Sequence, residues 1–218
     1  MGSVVAVIHA KGESTRLPGK NLKLLGDIPL FCHAILNARA TKEVDLVVID
    51  SDDDEILRIG SSYWARPLKR PLELATNDAT GDDLAYWQAS NFSESDIILQ
   101  VVPTSPFVRP ETIDNAIKSL RSQEVNSVVG CRKEALYTWV DGRPSYILNG
   151  EIPNSFELAT TTYETTGLYI NRTKRVLETK KRIDSNSCLP IYLSKLEAID
   201  INTEEDFMFA EAVWKQIQ

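Results

Sequence analysis

The chain has 218 residues, 43% of them hydrophobic, and a formal net charge of −7 at pH 7. That length suits one globular unit spanning 1–218, and the apolar content excludes a disordered chain. The acidity excludes a general nucleic-acid or anionic-membrane binder, because either needs a broad basic face. Cys32, Cys131 and Cys188 stand alone, with no C-x-x-C pair. They read as reduced apolar residues of a cytoplasmic protein. No run is long enough to span a membrane. The N-terminal MGSVVAVIHA lacks a basic n-region and reads as a buried strand rather than a signal peptide.

In chain order, Val4–Ile8 is a short β-branched run that fits a buried parallel strand. Pro29–Ala40 has helical spacing, and Asp45–Asp50 is a second strand. The acidic start of Asp53–Ser61 suits the N-terminus of a short helix. Ala65–Pro71, with its prolines, is loop or edge strand, and Asp82–Asn91 is a helix. Asp96–Val102 is a third buried strand that breaks at PTSPFVRP. Ile113, Ala116, Ile117 and Leu120 define an amphipathic helix, and Ser127–Gly130 the next strand. Residues 136–166 are polar and turn-rich, with alternating pieces such as Ser145–Leu148, and read as an antiparallel excursion. Gly167–Asn171 returns to the core, Ile191–Leu193 is a late strand, and Glu197–Ile201 follows. The last helix starts near Asn202, with Asn202 as N-cap and Glu205 at N3. Strands alternating with helices predict an α/β layered fold with a mostly parallel sheet.

The loop after the first strand, AKGESTRLPGKN (10–21), gathers Lys11, Arg16 and Lys20 beside Gly12, Gly19 and Pro18. Cations and backbone N–H groups in a tight glycine-bearing loop can surround a polyphosphate. The alternative is a solvated basic loop. It is not a Walker A loop: Gly12 and Gly19 are seven apart and Asn21 follows Lys20. It is not G-x-G-x-x-G either.

AKGESTRLPGKNLKLLGDIPL closely resembles the nucleotide-binding signature of the acylneuraminate cytidylyltransferase family, roughly A-R-x-x-S-K-x-x-P-x-K-N. Ala10, Ser14, Pro18, Lys20 and Asn21 match, and Lys11 stands for the usual arginine. Arg70–Ala75 resembles the family's R-P-x-x-L-A, with Asp78 and Thr80 after it. Pro103–Pro106 matches P-T-S-P, Gly167–Ile170 resembles G-x-Y-I, and Ile199–Asp206 resembles I-D-I-D-T-x-x-D. The motifs occur in order over nearly the whole chain.

The resemblance implies a Rossmann-like three-layer sandwich, the nucleotide-diphospho-sugar transferase fold, with 136–166 as a dimerisation and sugar-pocket excursion. It implies a cytoplasmic, Mg²⁺-dependent homodimer that activates a 2-keto sugar acid with CTP for a surface glycan and releases pyrophosphate. Such nucleotidyl transfer needs positioning and charge rather than a protein nucleophile. Lys11, Arg16 and Lys20 take the catalytic role. Ala10, Lys11, Gly12, Ser14, Arg16, Lys20, Asn21, Arg70, Asp78 and Thr80 would bind the nucleotide. Gln100, Thr104, Ser105, Thr166 and Gly167 would bind the sugar. Asp200 and Asn202 would hold Mg²⁺.

The chain departs from the pattern at several positions. Val102 precedes P-T-S-P where many relatives have glutamine, and Gln100 lies two residues earlier. Thr166 replaces a common asparagine, His9 a proline, and Asn202 a second metal-binding aspartate. Asn202 has a helix cap as its alternative role, with Asp206 a compensating acid, and Asp200 that of a plain strand-end acid. His9 has two readings, a phosphate or base contact and a structural role. Ser51 and Asp52 match a family strand end and suggest a supporting role. His33 reads as a core histidine, and the tryptophans as packing residues. Two further functions stand beside the main one. The first is a transferase that uses GTP or UTP and a sugar 1-phosphate. The second is a nucleotide-binding relative without turnover.

Overall fold

The computed structural model describes residues 2–147 and 150–217. Leu148, the end of the expected Ser145–Leu148 piece, lies outside the described residues. Strand β1 (Val4–His9) is buried on both sides. Val4, Ala6 and Ile8 pack into one apolar cluster, and Val5 and Val7 into another. This is why the strand reads as a continuous apolar run rather than an alternating one.

A short β2–β3 hairpin (Leu24–Leu25, Ile28–Pro29) leads into helix α1 (Leu30–Arg39). Then come β4 (Leu46–Ser51), α2 (Asp54–Ser62), β5 (Arg66–Lys69), α3 (Gly81–Asn91) and β6 (Ile97–Val101). They are followed by α4 (Pro110–Ser122), β7 (Ser127–Ala135) and a β8–β9 hairpin (Trp139–Val140, Arg143–Pro144). The chain closes with β10 (Thr160–Arg172), α5 (Thr173–Thr179), β11 (Cys188–Tyr192) and α6 (Glu204–Ile217).

The central sheet has seven strands in the order β11-β7-β10-β6-β1-β4-β5. Its pairs are parallel except those that β10 makes with β6 and β7. Helices α1, α2 and α4 pack on one face through Ile35, Ile56 and Ile117, and α3 and α5 on the other through Ala85 and Val176. The expected α/β sandwich with a mostly parallel sheet is therefore present.

Successive crossovers leave β1 in opposite directions, since β4 flanks it on one side and β6 on the other. The carboxyl end of β1 is thus a topological switch point, where open α/β sheets form a crevice.

Several boundaries differ from the sequence reading. The two strands flanking the excursion extend to Ala135 and from Thr160, because β7 and β10 pair as a ribbon past the sheet edge. Residues 160–166 therefore belong to a strand that runs on into the core. The late strand is Cys188–Tyr192, and Leu193 only continues its backbone bonding. Helix α5 shows no periodic stripe because it is short and only Thr173 and Val176 are buried. Helix α6 is capped by Thr203, not Asn202. The Thr203 hydroxyl accepts from the Asp206 N–H at 3.2 Å, and the Asp206 carboxylate accepts from the Thr203 N–H at 2.8 Å.

Candidate active site

The loop after β1 is pinned from several sides. The Ala10 N–H donates to the Asp50 carbonyl at 2.9 Å, extending the β1–β4 ladder by one rung. The Gly12 N–H donates to Asp52 Oδ1 at 3.0 Å, and Asn21 Nδ2 to the Lys11 carbonyl at 2.8 Å. Leu17 is buried with Leu25, Phe107, Ile201 and Phe207, which ties the loop to α6. Asp52 thus supports the loop, and Ser51 Oγ accepts from the Asp53 N–H at 3.0 Å.

What this pinning leaves free is charge. Lys11, Ser14, Arg16, Lys20 and Asn21 line a cavity of about 260 Å³, closed on the other side by His9 and Thr104. Lys11, Ser14 and Asp52 also line an adjoining hollow of about 430 Å³ that reaches Leu72 and Thr76. Converging cations at the end of the first strand can neutralise a polyphosphate. A larger depression of about 550 Å³ lies around Gly2, Asp96, Arg121 and Arg172. Its arginines are already engaged. Arg121 binds Glu43 and the Gly2 carbonyl, and Arg172 the Val125 and Leu120 carbonyls.

Opposite the loop stands the segment before α6. The buried Lys20 ammonium donates to the Ile201 carbonyl at 2.8 Å. Burial lowers its pKa, Asp200 and Asp206 pull it back, and Arg16 adds to the lowering. Because Thr203 caps the helix, the Asn202 side chain is free. Its Oδ1 accepts from Arg16 at 2.7 Å and its Nδ2 donates to Asp200 Oδ2 at 2.5 Å. Asp206 Oδ2 accepts from the Asn202 and Thr203 N–H groups and from the Thr203 hydroxyl, so the cap holds that oxygen. Asp200 Oδ1 is buried with no hydrogen-bond partner.

The third wall comes from β6 and β10. The Thr104 carbonyl accepts from the Ile201 N–H at 2.8 Å and joins the P-T-S-P turn to the Asp200 segment. The β10 register shifts between Glu164 and Tyr169, and within that irregularity Thr166 has φ 59°. A β-branched residue in left-handed backbone is strained, and such bulges re-aim side chains at sites. Here the Thr166 hydroxyl lies 3.2 Å from Asp200 Oδ2. At Gly167 a Cβ would lie 2.8 Å from Ser105 Oγ, so only glycine lets the turn close on the strand. Ser105 is buried, with its hydroxyl unpartnered.

Not every residue expected from the sequence is brought to the cavity. Arg70 and Asp50 form a buried pair at 2.8 Å, and Gln88 donates to the other Asp50 oxygen at 2.6 Å. Burial pushes the Asp50 carboxyl up, while Arg70 and Gln88 oppose that. Gln100 joins the same network by donating to Gln88 Oε1 at 2.8 Å. Thr80 is the N-cap of α3, in a capping box with Asp83, and Asp78 is exposed outside the cavity. His33 is a core histidine, 2.9 Å from the Leu25 carbonyl and packed on Trp214. The sequence reading missed Asn77, whose Oδ1 accepts from Lys11 Nζ at 3.0 Å, and the cavity residues Glu13 and Thr15. Asn77 lies just before Asp78, within a segment already singled out.

Comparisons with known proteins identify relatives of the chain. The cytidylyltransferase family model matches residues 5–186. CMP-N,N'-diacetyllegionaminic acid synthase of Legionella pneumophila is 31% identical over 95% of this chain and 94% of that protein. N-acylneuraminate cytidylyltransferase of Oncorhynchus mykiss is 26% identical over 62% of this chain, but only 32% of that longer protein. Among solved structures, CMP:2-keto-3-deoxy-manno-octonic acid synthetase complexed with CTP superposes with a TM-score of 0.75 at 16% identity. That match covers 99% of this chain and 100% of the other, and it establishes the shared fold. With the family model spanning most of the sheet and the signature loop at its switch point, the chain belongs to the cytidylyltransferase family of nucleotidyltransferases.

Proposed function

We propose that the protein transfers the cytidylyl group of CTP to the anomeric hydroxyl of a 2-keto sugar acid, giving a CMP-linked sugar acid and pyrophosphate. The observation that carries this reading is the convergence of Lys11, Arg16 and Lys20 on one cavity at the end of β1, facing Asp200. The sugar oxygen attacks the α-phosphorus, the bond to the β-phosphate breaks, and the hydroxyl proton passes to solvent. Lys11, Arg16, Lys20 and Ser14 hold the triphosphate, and fixed charges stabilise the transition state without reorganising. Ala10, Gly12 and Asn21 shape the loop. Thr104, Ser105, Thr166 and Gly167 form the wall nearest the acceptor.

The residues fit a Mg²⁺ ion, because Asp200 Oδ1 is a buried carboxylate oxygen without a partner. Hard cations take oxygen ligands, often one or two carboxylates completed by phosphates. When bound, the ion would offset charge on the phosphates. Asn202 turns its oxygen to Arg16 rather than to this oxygen, so Asp200 is the protein's principal ligand.

The protein acts as a homodimer in this reading. Trp139, Val140, Ile152 and Phe156 are exposed on the segment between β7 and β10, and a second copy would cover them. We place the protein in the cytoplasm, supplying a CMP-sugar for a surface glycan. No helix among the described residues is long and apolar enough to cross a membrane.

The test is pyrophosphate release with Mg²⁺ and each nucleoside triphosphate, paired with 2-keto sugar acids and with sugar 1-phosphates. N,N'-diacetyllegionaminic acid heads the panel because of the Legionella relative. Release only with CTP and a sugar acid is expected. Release with GTP or UTP and a sugar 1-phosphate would overturn the reading, as would CTP binding with no turnover across the panel.

A further inference from the structure

On the α3 side of the sheet, the Arg182 side chain stands without an ion pair among the described residues. It lies between α5 and β11, with its backbone N–H anchored on Asp82 Oδ1 at 2.8 Å. Its guanidinium sits 3.9 Å over the Tyr169 ring. It presses against the start of α3, where Gly81 makes room: a Cβ there would lie 2.5 Å from the guanidinium carbon. Yet among the described residues its side chain has no hydrogen bond or ion pair, although the residue is half-buried. Arg66 and Arg143, which also lack such partners, are exposed. A guanidinium offers five donors in a planar fork that suits a carboxylate. One held in place by stacking, with its fork empty, is preorganised for an anion from outside the chain.

A second observation lies next to it. Gln100 pairs in register with Tyr169 across β6 and β10 and is 3% exposed. Its Nε2 is engaged by Gln88, but its Oε1 is buried and receives no hydrogen bond. The two groups lack opposite things: Arg182 lacks an acceptor and Gln100 Oε1 lacks a donor. The strands link them to the phosphate cavity: Gln100 lies opposite Tyr169, which carries Arg182, and two residues before Val102, which lines the cavity with His9. The charge of Arg182 reaches the His9 ring. A ligand with a carboxylate and a hydroxyl, bound next to the phosphates, satisfies both. A 2-keto sugar acid carries its carboxylate on the anomeric carbon whose hydroxyl must reach the α-phosphorus.

We propose that Arg182 is the specificity-determining cation that binds the sugar-acid carboxylate, with Gln100 Oε1 accepting from a sugar hydroxyl. This rests on the function proposed above. It also gives Gln100 a substrate contact from within its network, so Val102 need not supply one.

The experiment compares wild type, Arg182→Met and Arg182→Lys with CTP and the best sugar acid, and with the same sugar bearing a C1 carboxamide. CTP affinity is measured by calorimetry. For Arg182→Met, kcat/KM for the acid falls about 10²-fold, the preference for acid over amide collapses, and CTP affinity stays within about twofold. Arg182→Lys keeps the charge without the fork and recovers part of the preference. If the Met variant does not fold, the Lys variant carries the test, and an acid preference equal to wild type overturns the proposal. Equal losses on acid and amide, or a parallel loss of CTP affinity, also overturn it. If wild type itself uses no sugar acid with CTP, the proposed function falls and this inference with it. If wild type turns over and Arg182→Met matches it, this inference alone falls.

Discussion

Arg16 and Asn202 meet side chain to side chain at 2.7 Å, and that contact joins the first loop of the chain to the segment before its last helix. The same asparagine donates to Asp200, so a cation, an amide and a carboxylate form one hydrogen-bonded chain that starts at the cavity-lining Arg16. Replacing the amide by a carboxylate sets a second acid beside Asp200 and near its free oxygen. Cation affinity rises with ligand charge. Asn202→Asp should therefore tighten Mg²⁺ binding by about tenfold, read by calorimetry without nucleotide. An unchanged affinity would show that position 202 does not face the ion.

Lys20 donates to the carbonyl of Ile201, the residue next to Asp200, and the charge of Asp200 reaches its ammonium. Lys20→Ala and Asp200→Ala should each lower kcat about 10²-fold or more. Lys20→Ala should also raise the KM for CTP, because its ammonium holds phosphate in the ground state too. Near-normal turnover in both variants would sink the site assignment.

Arg70 is a case where motif and geometry point to different roles. Its segment matches a nucleotide-binding motif, yet its guanidinium is engaged by Asp50 inside the sheet. Removing one partner leaves an uncompensated buried charge. Arg70→Met should therefore cost about 3–5 kcal/mol of unfolding free energy. CTP affinity of the fraction that folds should hold. A variant of normal stability with weakened CTP binding would return Arg70 to the nucleotide site.

What the sequence made legible follows from which signals are local. The strands β1, β4 and β6 were readable because their apolar runs are buried on both faces. The cation loop was readable because glycine, proline and charge are concentrated in it. The role of Asn202 was not readable, because Asn-x-x-Glu and Thr-x-x-Asp both satisfy a capping pattern one residue apart. Only the backbone shows that Thr203 takes the cap and frees Asn202. Arg182 was invisible for another reason. Its partners, Tyr169 and Gly81, are distant in sequence, and an arginine in a basic stretch such as KKR carries no local mark.

His9 should make stability depend on pH. Burial, then the charges of Arg70 and Arg182, lower its pKa from 6.5 to about 3, so the folded chain keeps it neutral. Below pH 6.5 the unfolded chain takes up a proton that the folded chain does not. The contribution is therefore complete above that value and is lost progressively as pH falls toward about 3. His33, whose pKa burial also lowers, acts with the same sign, so wild type alone does not isolate His9. His9→Gln keeps a polar side chain without the titration. Between about pH 7 and pH 5, where few carboxylates titrate, the urea midpoint of wild type should fall more steeply than that of His9→Gln. Parallel profiles would mean that the His9 ring is protonated as readily in the folded protein as in the unfolded chain. Burial and the charges of Arg70 and Arg182 would then not hold the ring neutral in the folded chain.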